Sequence, residues 1–264
     1  MKTLLHPLLM LLCCSFCLPA ANDTMHMPGV YNMLSQSVTD GTQTQNYPSK
    51  QVKIYTDHYV MYANVNPQDS SASFGIGTYS ESGNNVIEHM MYSSSGNSSN
   101  DTVRTFTLNI EKTSNGYKQV IPHIDAAGKY TLTEEYQTVA SGAGTQTPMD
   151  GAWKQTKAYY INGTDTTQGS ITQFKTYYNG HFIWGHTYTD SASEKHTGMG
   201  FGTFEMDGDN KVKETIERSS YPEINGRTFD IDIAMMGADS FKQTIHNTDG
   251  TSGIEVYERL KNEQ

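Results

Sequence analysis

The sequence predicts an all-β fold: two tandem small antiparallel up-and-down β-barrels of about eight strands each. Three observations carry this. Thr, Ser, Gly, Asn and Tyr dominate the composition, and only 8 of 264 residues are proline. Short alternating runs are punctuated by turn residues such as Ser82-Gly83-Asn84, Asp207-Gly208-Asp209 and Thr248-Asp249-Gly250, and no segment keeps a 3.6-residue apolar period long enough for a core helix. Third, the chain says nearly the same thing twice: GTYSESGNN at 77–85 and GTFEMDGDN at 202–210.

Residues 1–20 read as a Sec-type signal peptide. Lys2 precedes an apolar run (Leu4, Leu5, Leu8, Leu9, Met10, Leu11, Leu12), and small residues follow at Ala20 and Ala21. The run is short for a membrane span, and no later stretch approaches one, so no integral membrane segment is expected after it. The expected location is secreted or periplasmic. All three cysteines, Cys13, Cys14 and Cys17, fall in this segment; a lipidated cysteine is the alternative, but Leu12, Cys13 and Phe16 before them are not the small residues a lipoprotein signal prefers. Past it there is neither disulfide, thiol nucleophile nor thiolate metal site, and stability must come from packing.

The duplication sets the domains: a first barrel at 29–139, a linker at 140–150 and a second barrel at 151–261. GVY at 29–31 answers GAW at 151–153, and QVKIYTDHYVMY at 51–62 answers QFKTYYNGHFIW at 173–184, aligned on His58 and His181 with one extra residue ahead of the histidine in the second. GIGTY (75–79) answers GFGTF (200–204), RTFTLNI (104–110) answers RTFDIDI (227–233), YKQVI (117–121) answers FKQTI (241–245), and EEY (134–136) answers EVY (255–257). SGAGTQTP (141–148) reads as the linker. In the first copy strands are expected to start near Tyr31, Val52, Tyr59, Phe74, Val86, Arg104, Tyr117 and Tyr130. Eight antiparallel strands in ~110 residues suit a closed barrel, with a two-sheet sandwich as the other arrangement.

The copies resemble bacterial secreted lipocalin-like domains of the calycin type. The resemblance rests on Gly-Ala-Trp (151–153), Lys-x-Tyr…His-Phe-x-Trp (175–184), Gly-x-Gly-Thr-Phe (200–204) and Glu-Val-Tyr-Glu-Arg (255–259). It implies a barrel closed at one end by an arginine of the last strand over the tryptophan of the first. Trp153 and Arg259 match these roles; the first copy has Tyr31 and Thr138 instead.

Strand alternation then sorts side chains by face. Arg104, Phe106, Leu108 and Ile110 share a face, as do Arg227, Phe229, Ile231 and Ile233. Glu88 lies between Val86 and Met90, and Glu214 between Val212 and Ile216; Gln119 and Gln243 sit between apolar neighbours in the next strand but one. The expected interior of each barrel is therefore a glutamate, an arginine and a glutamine among apolar residues. Glu88–Arg104 and Glu214–Arg227 bridges are one reading. The other has the arginine and glutamine receiving an acidic ligand head while the apolar wall takes its tail. His58 and His181 stand at matching positions, as polar strand caps or as lining of the barrel mouth. Glu134–Tyr136 and Glu255–Tyr257 recur with either an exposed or a pocket role. The G-x-G pairs Gly75/Gly77 and Gly200/Gly202 lack the third glycine and following helix of a dinucleotide site and are read as bends of a closing barrel.

These features favour a binding protein for a small amphipathic or hydrophobic ligand. A structural or protein-interaction pair of filled barrels is the alternative. A hydrolase or isomerase using Glu88 or Glu214 with a histidine is weaker, since a neighbouring cation would hold the glutamate ionised and no Gly-x-Ser-x-Gly elbow occurs. No H-x-H or H-E-x-x-H spacing suggests a metal, and no cofactor is expected. Setting Lys2 aside leaves 17 of 18 basic residues against 28 acidic ones, a net charge of −11, which disfavours nucleic acid as a partner.

Overall fold

A computed structural model describes residues 26–95, 104–125, 127–139 and 146–261. The predicted signal peptide, its three cysteines and the linker residues 140–145 lie outside the described residues.

The chain forms two closed antiparallel barrels. The first contains β1 (Gly29–Thr39), β2 (Thr44–Asn46), β3 (Lys50–Tyr55), β4 (Tyr59–Val65), β5 (Ala72–Ser82), β6 (Asn85–Ser93), β7 (Arg104–Thr113), β8 (Gly116–Ile121) and β9 (Thr131–Thr138). The second contains β10 (Gly151–Asn162), β11 (Asp165–Gln168), β12 (Thr172–Tyr178), β13 (His181–Thr189), β14 (Lys195–Met206), β15 (Lys211–Ser219), β16 (Thr228–Met235), β17 (Ser240–His246) and β18 (Ser252–Arg259). Each sheet runs in chain order and closes by pairing its first and last strands, β1 with β9 and β10 with β18. The short β2 and β11 hydrogen-bond beside β3 and β12 along the same first strand, so each ring has eight positions. Helix among the described residues is one 3₁₀ turn at Pro222–Ile224, and no helix there is long and apolar enough to cross a membrane.

The G-x-G pairs mark β-bulges. The register slips between Ile76 and Gly77 and between Phe201 and Gly202. A Cβ on Gly202 would sit 1.9 Å from the Thr215 carbonyl oxygen, and one on Gly77 2.1 Å from that of His89. The bulge brings neighbouring backbone so close that only glycine fits.

The two barrels share a core. Ile54, Met61, Phe74 and Ile76 of the first are buried with Phe174, Ile183, Met199 and Phe201 of the second. β3 meets β12, β4 meets β13 and β5 meets β14, as a two-fold relation between copies would give. The Phe74 ring occupies the space over Gly185, where a Cβ would come within 2.4 Å of it. Thr176 Oγ1 donates to Met61 Sδ at 3.2 Å, and Tyr92 packs on Phe174 with centroids 5.2 Å apart. Full burial of a large apolar side chain contributes about 1.5–3 kcal/mol, so this shared core adds to the stability of both barrels. It also makes the outer faces of β3–β5 and β12–β14 apolar, so these strands are buried on both sides.

Candidate functional site

Each barrel interior has three layers. In the second barrel the closed end is aromatic: Trp153, Tyr177, Phe182, Phe204, Phe241 and Tyr257 are buried together. Phe241 meets Trp153 edge-on at 4.8 Å and stacks on Tyr257 at 4.8 Å. The Arg259 guanidinium lies 4.0 Å from the Trp153 ring and donates to the carbonyls of Asp150 (2.6 Å) and Pro148 (3.1 Å).

The middle layer is polar and comes from the next inward position of each strand. On β12, Gln173, Lys175 and Tyr177 alternate inward, and all three are buried. Lys175 Nζ donates to Glu214 Oε1 at 2.8 Å, to the Tyr177 hydroxyl at 3.1 Å and to Gln243 Oε1 at 3.2 Å. Those three bonds use all its protons. Tyr177 donates to the same glutamate oxygen. Gln243 Nε2 (2.6 Å), the Tyr257 hydroxyl (2.6 Å) and Gln173 Nε2 (3.2 Å) all donate to Glu255 Oε2. Burial, reinforced by the adjacent carboxylates, pushes the Tyr177 and Tyr257 phenols well above their ordinary range, so they act as hydrogen-bond donors.

The first barrel repeats this floor. Lys53 Nζ lies 3.0 Å from Glu88 Oε1 and 3.3 Å from Gln119 Oε1, and Tyr55 donates to Glu88. Gln119 Nε2 and the Tyr136 hydroxyl donate to Glu134 Oε2, and Gln36 Nε2 donates to Glu134 Oε1 at 2.7 Å.

Above each floor is a cavity. The second barrel's is about 220 Å³, walled by Trp184, Ile216, Ile224, Phe229, Ile231 and Ile245, with Lys175, Glu214, Gln243 and Glu255 at its base. The first barrel's is about 240 Å³, with Met90, Phe106, Ile121, Ile124 and Leu132 over Lys53, Glu88, Gln119 and Glu134. Among the described residues, a histidine lines the second cavity and none lines the first. His186 Nδ1 is 3.1 Å from Gln173 Oε1 and Nε2 is 3.1 Å from the Tyr221 hydroxyl. The Gln173 amide nitrogen is committed to Glu255 and Tyr257, so its carbonyl faces the histidine. Nδ1–H therefore donates to it, and Nε2 accepts from Tyr221. Burial lowers the His186 pKa to about 4, so the ring is neutral at pH 7. Its counterpart in the first barrel is Asn64, which donates to Gln51.

Of the residues singled out from sequence, Glu88, Gln119, Glu214 and Gln243 line these cavities. The arginines do not. Arg104 and Arg227 have the inward parity but stand at or before the first residue of their strands, at the barrel rim, where both are exposed. Arg104 pairs across from Met90, and Glu88 faces Phe106 instead; Arg227 lies over Phe229 at 5.2 Å. The expected Glu88–Arg104 and Glu214–Arg227 bridges are replaced by Glu88–Lys53 and Glu214–Lys175.

The histidines are also corrected. Tyr55 pairs with Val60 and Tyr177 with Phe182, so the two turns have equal length and no residue is inserted. His58 then answers Gly180, and Tyr59 answers His181. His58 lines a cleft of about 260 Å³ between the barrels, beside Asp150, Tyr178 and Arg259. His181 has the parity of Ile183, which is in the shared core, and opposite to Phe182 in the interior; burial lowers its pKa. Neither lines a barrel cavity.

Lys53, Lys175, Glu134 and Glu255 complete the floors and His186 lines the second cavity; these five were missed or left undecided. Q-x-K-x-Y at 51–55 and 173–177 was the available signal, since it repeats unchanged in both copies.

A family model described as "Domain of unknown function (DUF4488)" matches residues 148–264, which contain the second barrel. A search of the curated proteins finds no match to the chain.

Proposed function

We propose that the protein is a secreted or periplasmic binding protein that holds a small amphipathic molecule inside a lipocalin-like barrel, chiefly the second. One observation carries this reading: an apolar-walled cavity of about 220 Å³ stands directly on a buried polar floor. An apolar cavity of roughly 150 Å³ is enough for benzene, so a molecule with one ring or a short chain fits. The apolar walls would take its body and the floor would orient its polar end.

The acidic-head version of this reading is abandoned, because the arginines lie outside the pockets and the Lys175 protons are all committed. A structural role is the second reading, favoured by the aromatic closed ends and the extensive shared core.

Native mass spectrometry of the protein purified from its own host separates the two. Binding predicts a reproducible added mass that a bulky substitution in the cavity wall, Ile231→Trp, removes while the fold survives. A bare mass, together with no shift in melting temperature across a panel of small amphiphiles, refutes binding and leaves the structural reading.

A further inference from the structure

The polar floor of the second barrel carries more negative groups than positive ones. Its ionic groups are one ammonium, Lys175, and two carboxylates, Glu214 and Glu255. The ammonium is fully committed to Tyr177, Glu214 and Gln243. The Gln173 amide nitrogen is committed to Glu255 and Tyr257. His186 is neutral and its N–H is committed to Gln173. In contrast, Glu214 takes its described bonds on Oε1 and Glu255 on Oε2. The second oxygen of each accepts no hydrogen bond from any described residue, and both side chains line the cavity.

The first barrel differs at one of these atoms. Gln36 lies opposite Glu134 and donates to its second oxygen at 2.7 Å. The position opposite Glu255 is Ala158, which has no donor to offer. The second barrel thus presents two open carboxylate oxygens where the first presents one. Arg227 at the rim is exposed, and its field is screened over about 8 Å at physiological salt.

We infer that the second barrel selects a small primary amine, bound as its ammonium, with a compact apolar body. The inference rests on the binding reading above and names its ligand class. An ammonium supplies the positive charge and the N–H donors that Glu214 and Glu255 lack. The body lies against Trp184, Phe229 and Ile231. A carboxylate of the same shape meets like charge, offset only by the second N–H of Gln243, since the unpartnered Gln155 Nε2 lies outside the cavity lining, and a neutral alcohol satisfies an oxygen but not the charge.

Isothermal calorimetry at pH 7 with 2-phenylethylamine, 2-phenylethanol and phenylacetate tests this. The amine is expected to bind roughly tenfold or more tightly than either analogue, the equivalent of one charge-assisted hydrogen bond. Glu214→Gln is expected to abolish that preference. If that variant loses its near-ultraviolet dichroism, Ala158→Gln serves instead: it leaves Lys175–Glu214 intact, caps Glu255 as Gln36 caps Glu134, and should weaken amine binding selectively. Phenylacetate binding as tightly as the amine overturns the amine class while leaving a binding barrel. An amine preference unmoved by both variants also overturns it. Failure of all three probes to bind at millimolar concentration overturns the amine class, while an added mass on the host-purified protein would still sustain the broader binding reading.

Discussion

Removing the buried ammonium of the second barrel gives the sharpest test of how the floor is held. Lys175 is 3% exposed and Glu214 4%. Lys175→Met keeps most of the side chain's length and an apolar stem but strands an ionised carboxylate beside Tyr177 and Gln243 among apolar residues. Breaking a buried pair from one side costs about 3–5 kcal/mol. For a chain of this size each kcal/mol lowers the melting temperature by roughly 2–4 °C, so a fall of about 10 °C is expected by circular dichroism. Lys175→Met with Glu214→Leu removes both charges and should recover to within about 1 kcal/mol of the parent, because replacing both partners by apolar groups is often neutral. Urea unfolding of the four proteins in the cycle measures the coupling. A single substitution costing under about 1 kcal/mol, or a double costing the sum of the singles, would refute the reasoning. Arg227→Ala is the control: exposed at the rim, it should stay within about 0.5 kcal/mol.

Three further outcomes follow from particular contacts. Gly202→Ala places a Cβ 1.9 Å from the Thr215 carbonyl oxygen and should cost at least about 2 kcal/mol, whereas Gly253→Ala, with nothing within 4 Å, should be near neutral; equal melting temperatures would dismiss the bulge argument. Gly185→Leu drives a side chain into the Phe74 ring and should split a single calorimetric transition into two as the barrels part, so an unchanged single transition would contradict the shared core. His186 has a folded pKa of about 4 against 6.5 unfolded, so the unfolded chain takes up the proton first. Its contribution is complete above pH 6.5 and is lost as pH falls toward 4, with a ceiling of about 3 kcal/mol. Urea stability measured from pH 7 to 4 should therefore fall less steeply in His186→Gln, and parallel curves would exclude the histidine as the cause.

The sequence by itself determined the two barrels, their strand order and part of the floor. Duplication fixed the repeat, and alternation on β6 and β8 placed Glu88 and Gln119 inward, because those strands have one wet face and one dry face. Arg104 and Arg227 share the correct parity with buried neighbours, but parity does not say where the partner strand ends, so their exposure at the rim was not legible. Lys53 and Lys175 were hidden for a different reason. Val52, Ile54, Phe174 and Thr176 on the outer face of β3 and β12 are as buried as the inner face, since the other barrel covers them. A strand buried on both sides carries no alternation from which to tell inside from outside. Only the packing of one barrel on the other decided which face of Gln-x-Lys-x-Tyr looks inward, and with it which cation holds the glutamate.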